Sequence, residues 1–179
     1  MLNKISMFFS KGAFFMILSA GSFCMMTVFV KLAGDSLPTI QIVFVRGLFT
    51  LLITGFFLLK AKINPLGKNK RLLTARGLSG TIALFLVYES IQRFPLSEAT
   101  VIQYLYPLFT AMIAAALISE TVDRNISIGL FSGFFGVYAI LGFPFLSDSY
   151  LDIESLSIAI FGSFLTGLAY VLVRKATSL

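Results

Sequence analysis

Four long runs without a charged side chain limit this sequence more than any other feature. They cover residues 12–30, 99–119, 125–147 and 155–173, and each is 19 to 23 residues long. A helix of about 20 apolar residues crosses the roughly 30 Å hydrocarbon core of a bilayer. The runs are apolar on all sides, whereas the strands of a membrane barrel alternate between polar and apolar residues. The sequence therefore predicts an all-α, polytopic membrane helix bundle.

Turn residues and charges divide the chain into six predicted transmembrane helices. We expect them at about residues 13–30, 39–59, 73–91, 96–118, 126–146 and 156–173. With the N-terminus in the cytoplasm, 11 of the 14 Lys and Arg residues lie in cytoplasmic segments, Lys31 and Arg93 lie outside, and Arg46 lies within the second span. Cytoplasmic loops carry such an excess of basic residues. We therefore predict a multi-pass protein of the inner (cytoplasmic) membrane with a cytoplasmic N-terminus.

The composition excludes several classes of function. Histidine is absent and the single cysteine is Cys24, so no zinc site, disulfide framework or Cys–His nucleophile pair can be assembled. No nucleophile–base set is visible, and we expect no enzyme activity, no catalytic residue, no metal and no cofactor. The net charge of +6 comes from residues at the ends of apolar runs, where basic residues set topology. We therefore expect no nucleic-acid partner.

A short internal repeat links the first and sixth spans. Residues 21–23 (Gly-Ser-Phe) recur as residues 162–164, and residues 29–33 are echoed by residues 172–176. The first span runs outward and the sixth runs inward, because a repeat unit of five spans inverts its second copy. Inverted repeats are common in transporters, which place the substrate site at the repeat interface near the middle of the membrane.

The fourth span carries polar residues and a proline within an apolar run. Pro107 has no N–H group, so the carbonyl of Gln103 loses its helical partner and we expect a kink there. An unpaired carbonyl in hydrocarbon costs several kcal/mol, so it must meet a neighbouring helix, water or a ligand. Gln103, Tyr106 and Thr110 share one helical face with Ala99. They are candidates for a solute pocket, and the alternative is a kinked helix whose polar groups bond its neighbours.

Arg46 is a charged residue inside the predicted second span, eight residues after Pro38. At about 1.5 Å per residue it lies ~12 Å into the membrane, where a charge costs roughly 2.5–3.5 kcal/mol and indicates a functional site. Three interpretations stay open. Arg46 binds an anionic group of a solute, pairs with Glu89 or Glu98 as a gate or proton-linked switch, or clamps carbonyls at a helix end.

Further candidates lie on three other spans. Tyr88 of the third span and Ser22 of the first are candidates for contact with the solute, although a tyrosine at such a depth also suits simple packing or the aromatic belt at the membrane interface. Gly129 and Gly133 of the fifth span form a GxxxG motif, which permits close helix packing and leaves a homodimer open.

Several motifs of the chain follow one another in a recognisable order. They are PLSEAT at residues 95–100, YPLFTA at residues 106–111, a closing Glu120, Arg46 in the second span and the restart at Gly162. Together they resemble the EamA type of the drug/metabolite transporter superfamily over essentially the whole chain. The resemblance implies ten spans in two inverted five-span repeats that move amino acids, nucleotide-related metabolites or similar solutes. The chain departs from the pattern at Ser119, where a glycine is usual, and it ends after the sixth span.

The resemblance implies a secondary transporter that moves a small metabolite by alternating access but is truncated. Residues 1–147 form a first five-helix repeat on this interpretation, and residues 148–179 begin a second. The expected partners are a small-molecule solute, the lipid bilayer and either a missing carboxy-terminal half or a second copy of the chain. The alternatives are a non-transporting remnant or membrane subunit and an oligomeric exporter of the small-multidrug-resistance kind. The charge bias argues against a dual-topology form of the latter.

Overall fold

The computed structural model describes residues 11–62, 70–118, 124–140 and 152–177, which are helical apart from short turns. The helices are α1 (Lys11–Gly34), α2 (Thr39–Ala61), α3 (Lys70–Arg93), α4 (Leu96–Gln103), α5 (Tyr106–Ile118), α6 (Arg124–Ile140) and α7 (Ile153–Thr177). Helices α1, α2, α3 and α7 and the α4–α5 pair are each long and apolar enough to cross a membrane, and α6 is a shorter apolar helix. The prediction of an all-α, polytopic membrane helix bundle is confirmed.

Some predicted features lie outside the described residues. They are Ser119 and Glu120 after the fourth span, the part of the predicted fifth span after Ile140, and the boundary between residues 147 and 148.

Two prolines start helices at the short connections between neighbouring spans. Pro38 precedes α2 with φ −64°, and its carbonyl accepts the N–H of Gln41 at 2.9 Å. Pro95 precedes α4 in the same way, and its carbonyl accepts the N–H of Ala99 at 3.0 Å. Proline suits the start of a helix because its φ is already helical and the N–H that it lacks has no helical partner there. The short turns place α1 beside α2 and α3 beside α4 as antiparallel neighbours.

Helix α7 is the centre of the described bundle. It packs against both α3 and α5, and 44% of its apolar window is buried, whereas none of the corresponding window of α2 is. Two glycines permit this close packing. A Cβ atom at Gly162 would lie 3.1 Å from the Cβ of Leu86 on α3, and one at Gly167 would lie 2.9 Å from the backbone N of Thr110 on α5. Glycine thus lets the helix backbones approach, as is common between membrane helices.

The fourth span is interrupted between α4 and α5, just before Pro107. Across the break, the N–H of Leu105 donates to the Ile102 carbonyl at 3.0 Å, which is a bond to the third residue back instead of the fourth. The same carbonyl accepts the hydroxyl of Ser163 on α7 at 2.8 Å, and Ser163 is fully buried. A neighbouring helix therefore satisfies the irregular backbone, as the lack of water in a bilayer requires.

The buried core lies near the Arg93 end of the bundle. Its members are Val30, Tyr88, Ile91, Phe94, Ala99, Ile102, Leu105, Leu156 and Ala159. Most large side chains of α1 and α2 are instead exposed, for example Met16, Phe44 and Leu51. Exposed apolar side chains are favourable in hydrocarbon, where they need no further cover. On α6, Gly133 of the GxxxG motif faces α5 of the same chain. A Cβ added at Gly133 would lie 3.7 Å from the Cδ1 of Leu108.

We expect Gly167→Ala to lower the free energy of unfolding by roughly 1–3 kcal/mol, because overpacking forces shifts of neighbouring atoms. The atoms in the way are two backbone atoms of α5 and the Cβ of Phe109, which cannot move aside as the end of a flexible side chain would. The measurement is unfolding of the purified chain in detergent micelles, followed by circular dichroism. Gly21→Ala is the matched control, because within the described ranges nothing lies within 4 Å of a Cβ at Gly21. Equal stability of the two variants would contradict the close α5–α7 packing.

Candidate functional site

An open groove of ≈ 560 Å³ lies between α1, α2 and α3. Its volume falls within the range of small-molecule sites, roughly 300–1,000 Å³. Apolar side chains line most of it: Met25, Met26, Phe29, Val30, Ala33 and Ile42. The polar lining consists of Ser22, Arg46 and Tyr88. An apolar groove with a few polar groups is the usual composition of a site that binds an organic solute.

Arg46 and Tyr88 form the polar centre of the groove. The Nη1 of Arg46 donates a hydrogen bond to the Tyr88 hydroxyl, and the guanidinium carbon lies 5.3 Å from the centroid of the tyrosine ring. The ring therefore attracts the cation with its π-face as well as with its oxygen. The hydroxyl in turn donates to the Met26 sulfur at 3.6 Å. Tyr88 is buried, so its ring fixes the position of the half-buried Arg46.

Arg46 has no carboxylate partner in the part of the chain that the structure describes. Glu89, the neighbour of Tyr88, accepts from Nε of Arg93 at 2.9 Å. Glu98 lies in the first turn of α4. The interpretation of Glu89, Glu98 and Arg46 as a gate stays a prediction, and the contact that holds Arg46 in this structure is the one with Tyr88.

Gln103, Tyr106 and Thr110 lie at a different place, the contact between the fourth span and α7. The Nε2 of Gln103 donates to the Thr166 hydroxyl at 3.5 Å, and the Tyr106 ring stacks on Tyr170 with centroids 5.4 Å apart. The Thr110 hydroxyl donates to the Tyr106 carbonyl at 2.7 Å. The structure thus brings Ser22, Arg46 and Tyr88 together in the groove and places these three residues outside its lining.

A lysine that sequence reasoning assigned only to topology holds the end of α3. The Nζ of Lys31 donates to the carbonyls of Ile91, Gln92 and Phe94 at 2.7, 2.9 and 3.0 Å. A cation at a helix C-terminus satisfies carbonyls without helical partners and opposes the negative end of the dipole. Gln92 Nε2 completes the junction by donating to the Val30 carbonyl at 2.7 Å. A clamp of helix-end carbonyls is thus present at Lys31, and the clamp interpretation of Arg46 stays a prediction.

A polar network joins α3 to the start of α7 near this end of the bundle. The Nη1 of Arg93 donates to Glu154 Oε1 at 3.1 Å and to the Ser155 hydroxyl at 3.4 Å. Asp152 caps α7, because its carboxylate accepts the N–H groups of Ser155 at 3.2 Å and Glu154 at 3.4 Å. The Ser155 hydroxyl also donates to this carboxylate at 3.0 Å. Its bonds to Ser155 lower the pKa of Asp152.

Comparison with known proteins shows what the chain is similar to. The family described as the EamA-like transporter family matches residues 10–142. The pseudopaline exporter of Pseudomonas aeruginosa is 25% identical over 115 residues, which cover 64% of this chain and 40% of the exporter. Solute carrier family 35 member G1 of Homo sapiens is 32% identical over 140 residues, 77% of this chain and 38% of the carrier. The Mus musculus protein of that name is 31% identical over 181 residues, which cover 92% of this chain and 47% of the mouse protein.

The chain spans less than half the length of these three curated relatives. No solved structure matches it.

We expect Tyr88→Phe to destabilise the chain by about 1–3 kcal/mol, because Arg46 loses its acceptor in a half-buried place. The measurement is the free energy of unfolding in detergent micelles. Tyr104→Phe is the matched control, since it removes the same hydroxyl from a side chain that is 65% exposed. In a double-mutant cycle, the effects of Tyr88→Phe and Arg46→Gln should be less than additive. Additive effects would contradict the contact between the two side chains.

We expect Asp152→Ala to destabilise the chain at neutral pH and to lose most of that effect in acid. Because the pKa of Asp152 is lowered in the fold, its cap contributes its full stabilisation at pH values above the ordinary aspartate pKa. The stabilisation disappears as the pH falls through the lowered value. The measurement is the difference in melting temperature between unaltered chain and variant as a function of pH. Asp35→Ala, in the exposed α1–α2 turn, is the control, and a pH-independent difference would contradict capping by the carboxylate.

Proposed function

This chain belongs to the EamA-like transporter family, and we propose that it forms one half of a path that carries a small organic solute across the membrane. Similar proteins named as a pseudopaline exporter and as solute carriers support transport as the activity. The chain spans less than half of their length, which supports a path completed by a second repeat. We propose that the solute crosses the inner membrane unchanged, by alternating access.

The observation that carries the proposal is the groove with Arg46 at its polar centre. Charged residues inside membrane spans are expensive and usually mark the path of a solute or ion. Arg46 is half-buried and is held by Tyr88, so it is already oriented towards the groove before a solute arrives. The groove is open on one side, and a guanidinium next to hydrocarbon is unfavourable. A second wall therefore belongs there.

The internal repeat supports a position for that wall. Gly162 and Ser163 of α7 are covered by α3 and α4, whereas no atom of the described residues lies within 4 Å of a Cβ at the equivalent Gly21 of α1. If residues 1–147 and the segment from residue 148 onward belong to inverted repeats, the two faces are equivalent. We propose that helices of the second repeat pack on α1 at Gly21 and Ser22 as α3 and α4 pack on α7.

Helix α2 is the element that we propose moves during alternating access. Within the described ranges it packs on α1 and α3, and its apolar window contains no buried residue. In contrast, Lys31 ties α1 to the end of α3, and Ser163 ties α7 to α4. Elements with few buried contacts move at the lowest cost. Because Arg46 lies on α2 and Tyr88 on α3, such a movement opens or closes their contact.

The test is counterflow of labelled solutes into proteoliposomes that contain the chain together with a second repeat, because the proposed path needs both. The panel consists of amino acids, nucleoside monophosphates and small carboxylic acids. We expect saturable flux for at least one member, absent from liposomes without protein. Ser22→Phe should abolish this flux by filling the groove, whereas Ser157→Phe, at an exposed position of α7, should leave it intact.

Absence of saturable flux for every member, with the protein helical by circular dichroism, would contradict a transport path that contains this chain. Equal flux in Ser22→Phe and Ser157→Phe would place the path elsewhere.

A further inference from the structure

Arg46 brings an uncompensated positive charge to a groove that is otherwise apolar. Its only polar companions in the lining are the neutral Ser22 and Tyr88. The carboxylates of Glu89 and Glu154 bind Arg93 instead, and that of Asp152 caps α7. Within the described ranges, the cation of the groove therefore has no anion of the protein beside it. A charge at such a depth needs one, because an unpaired ion is strongly disfavoured away from water.

Tyr88 orients the guanidinium without neutralising it. The phenol oxygen accepts from Nη1, and the ring supports the cation from 5.3 Å. A guanidinium has several further N–H groups in one plane, and this fork matches the two oxygens of a carboxylate or the oxygens of a phosphate. An arginine held by a buried tyrosine is thus prepared for an anion with little loss of side-chain freedom on binding.

The remaining lining favours an apolar body attached to that anion. Met25, Met26 and Phe29 of α1 and Ile42 of α2 form the walls. Methionine adapts its shape to a ligand and makes favourable contacts with aromatic rings. The groove volume of ≈ 560 Å³ exceeds what a simple inorganic ion fills. The composition therefore suits an organic solute with an apolar or aromatic part.

We infer that the groove binds a small organic anion, with its carboxylate on Arg46 and its apolar body on the methionine and phenylalanine side chains of α1. The inference rests on the proposed function, since it names the class of solute that the path carries. A phospholipid shares this chemistry, having an anionic phosphate and apolar chains. The occupant assigned here is the soluble carboxylate, and the lipid is an outcome that the test distinguishes.

The test is a binding titration of the purified 179-residue chain in a non-ionic detergent. The chain has no tryptophan, so Phe29→Trp places a single fluorescent reporter in the groove. The probe is 3-phenylpropionate, for which we expect saturable quenching or a spectral shift. The neutral 3-phenylpropionamide and the cationic 3-phenylpropylammonium should bind at least about tenfold more weakly, because hydrogen bonds to a charged group are the stronger ones. Acetate, which has the charge but no apolar body, should also bind more weakly.

Variants of the same reporter chain locate the charge. Arg46→Gln should weaken binding of 3-phenylpropionate about tenfold or more, and Arg46→Lys should have an intermediate effect because it keeps the charge but loses the fork. Lys60→Gln is the matched control, since it removes a positive charge at the exposed end of the same helix and should leave binding unchanged. The comparison of ligands uses the chain with Arg46 intact, so it holds even if Arg46→Gln fails to fold.

Equal binding of the acid, the amide and the amine would overturn the inference, as would unchanged binding of the acid to folded Arg46→Gln. Displacement of 3-phenylpropionate by phosphatidylglycerol micelles, but not by phosphatidylcholine micelles, would overturn it in favour of a lipid site. Saturable flux of neutral solutes without anion binding would sink this inference and leave the transport proposal standing. Anion binding without flux of any panel member would support this inference and contradict the transport proposal.

Discussion

The hydrogen bond from Ser163 to the Ile102 carbonyl joins the broken fourth span to α7, the most buried of the five long described spans. A break in a helix exposes backbone carbonyls, and a bilayer offers no water to satisfy them. At the break before Pro107 the Ile102 carbonyl keeps one backbone donor, the N–H of Leu105, and a donor on another helix can satisfy its second lone pair. Ser163 does so from a fully buried position, and it can reach the carbonyl because glycines on either side of it in α7 let the backbones come close. Small residues and a hydroxyl thus set the position of the sixth span.

The sequence predicted the spans well and their packing poorly, for a physical reason. Uncharged runs of about 20 residues are sufficient to predict membrane helices. Helices that are apolar on every side, however, have no polar stripe to show which face meets a neighbour. Gln103 and Pro107 make the fourth span stand out in the sequence, whereas α7 is the more buried helix in the structure. The useful signal was the small-residue pattern from Gly162 to Gly167, of which the repeat with the first span covered only the beginning.

The candidate site shows the same division. Arg46 was identifiable because a charge within a span is rare, and Tyr88 and Ser22 were among the candidates. The partner of Arg46 was not predictable from the sequence. Tyr88 and Glu89 are adjacent on α3, and side chains one residue apart on a helix point in directions about 100° apart. Only the rotation of α3 decides which of them faces α2. The structure turns Tyr88 to Arg46 and Glu89 to Arg93. Lys31 was missed because a basic residue at the end of a span is usually a topology determinant.

The helix-end junction near Arg93 and the adjoining groove differ in how much of their polar chemistry the described residues supply. At the junction, the charged side chains of Lys31, Arg93 and Asp152 each have a partner. Lys31 of α1 donates to carbonyls at the end of α3, Arg93 of α3 donates to Glu154 of α7, and Asp152 accepts from the first turn of α7. At the groove, Arg46 has a neutral partner alone within the described ranges. A membrane protein cannot leave a cation facing hydrocarbon without cost, so the groove needs both an anion and a wall. Under the proposed function, a wall from the second repeat would dock on the open face of α1 and enclose the groove, and a carboxylate solute would compensate the charge only while it is bound. Because this proposed compensation depends on occupancy, loading and release would change the electrostatic cost of moving α2. An anionic solute would then have a physical means of driving the proposed change of access.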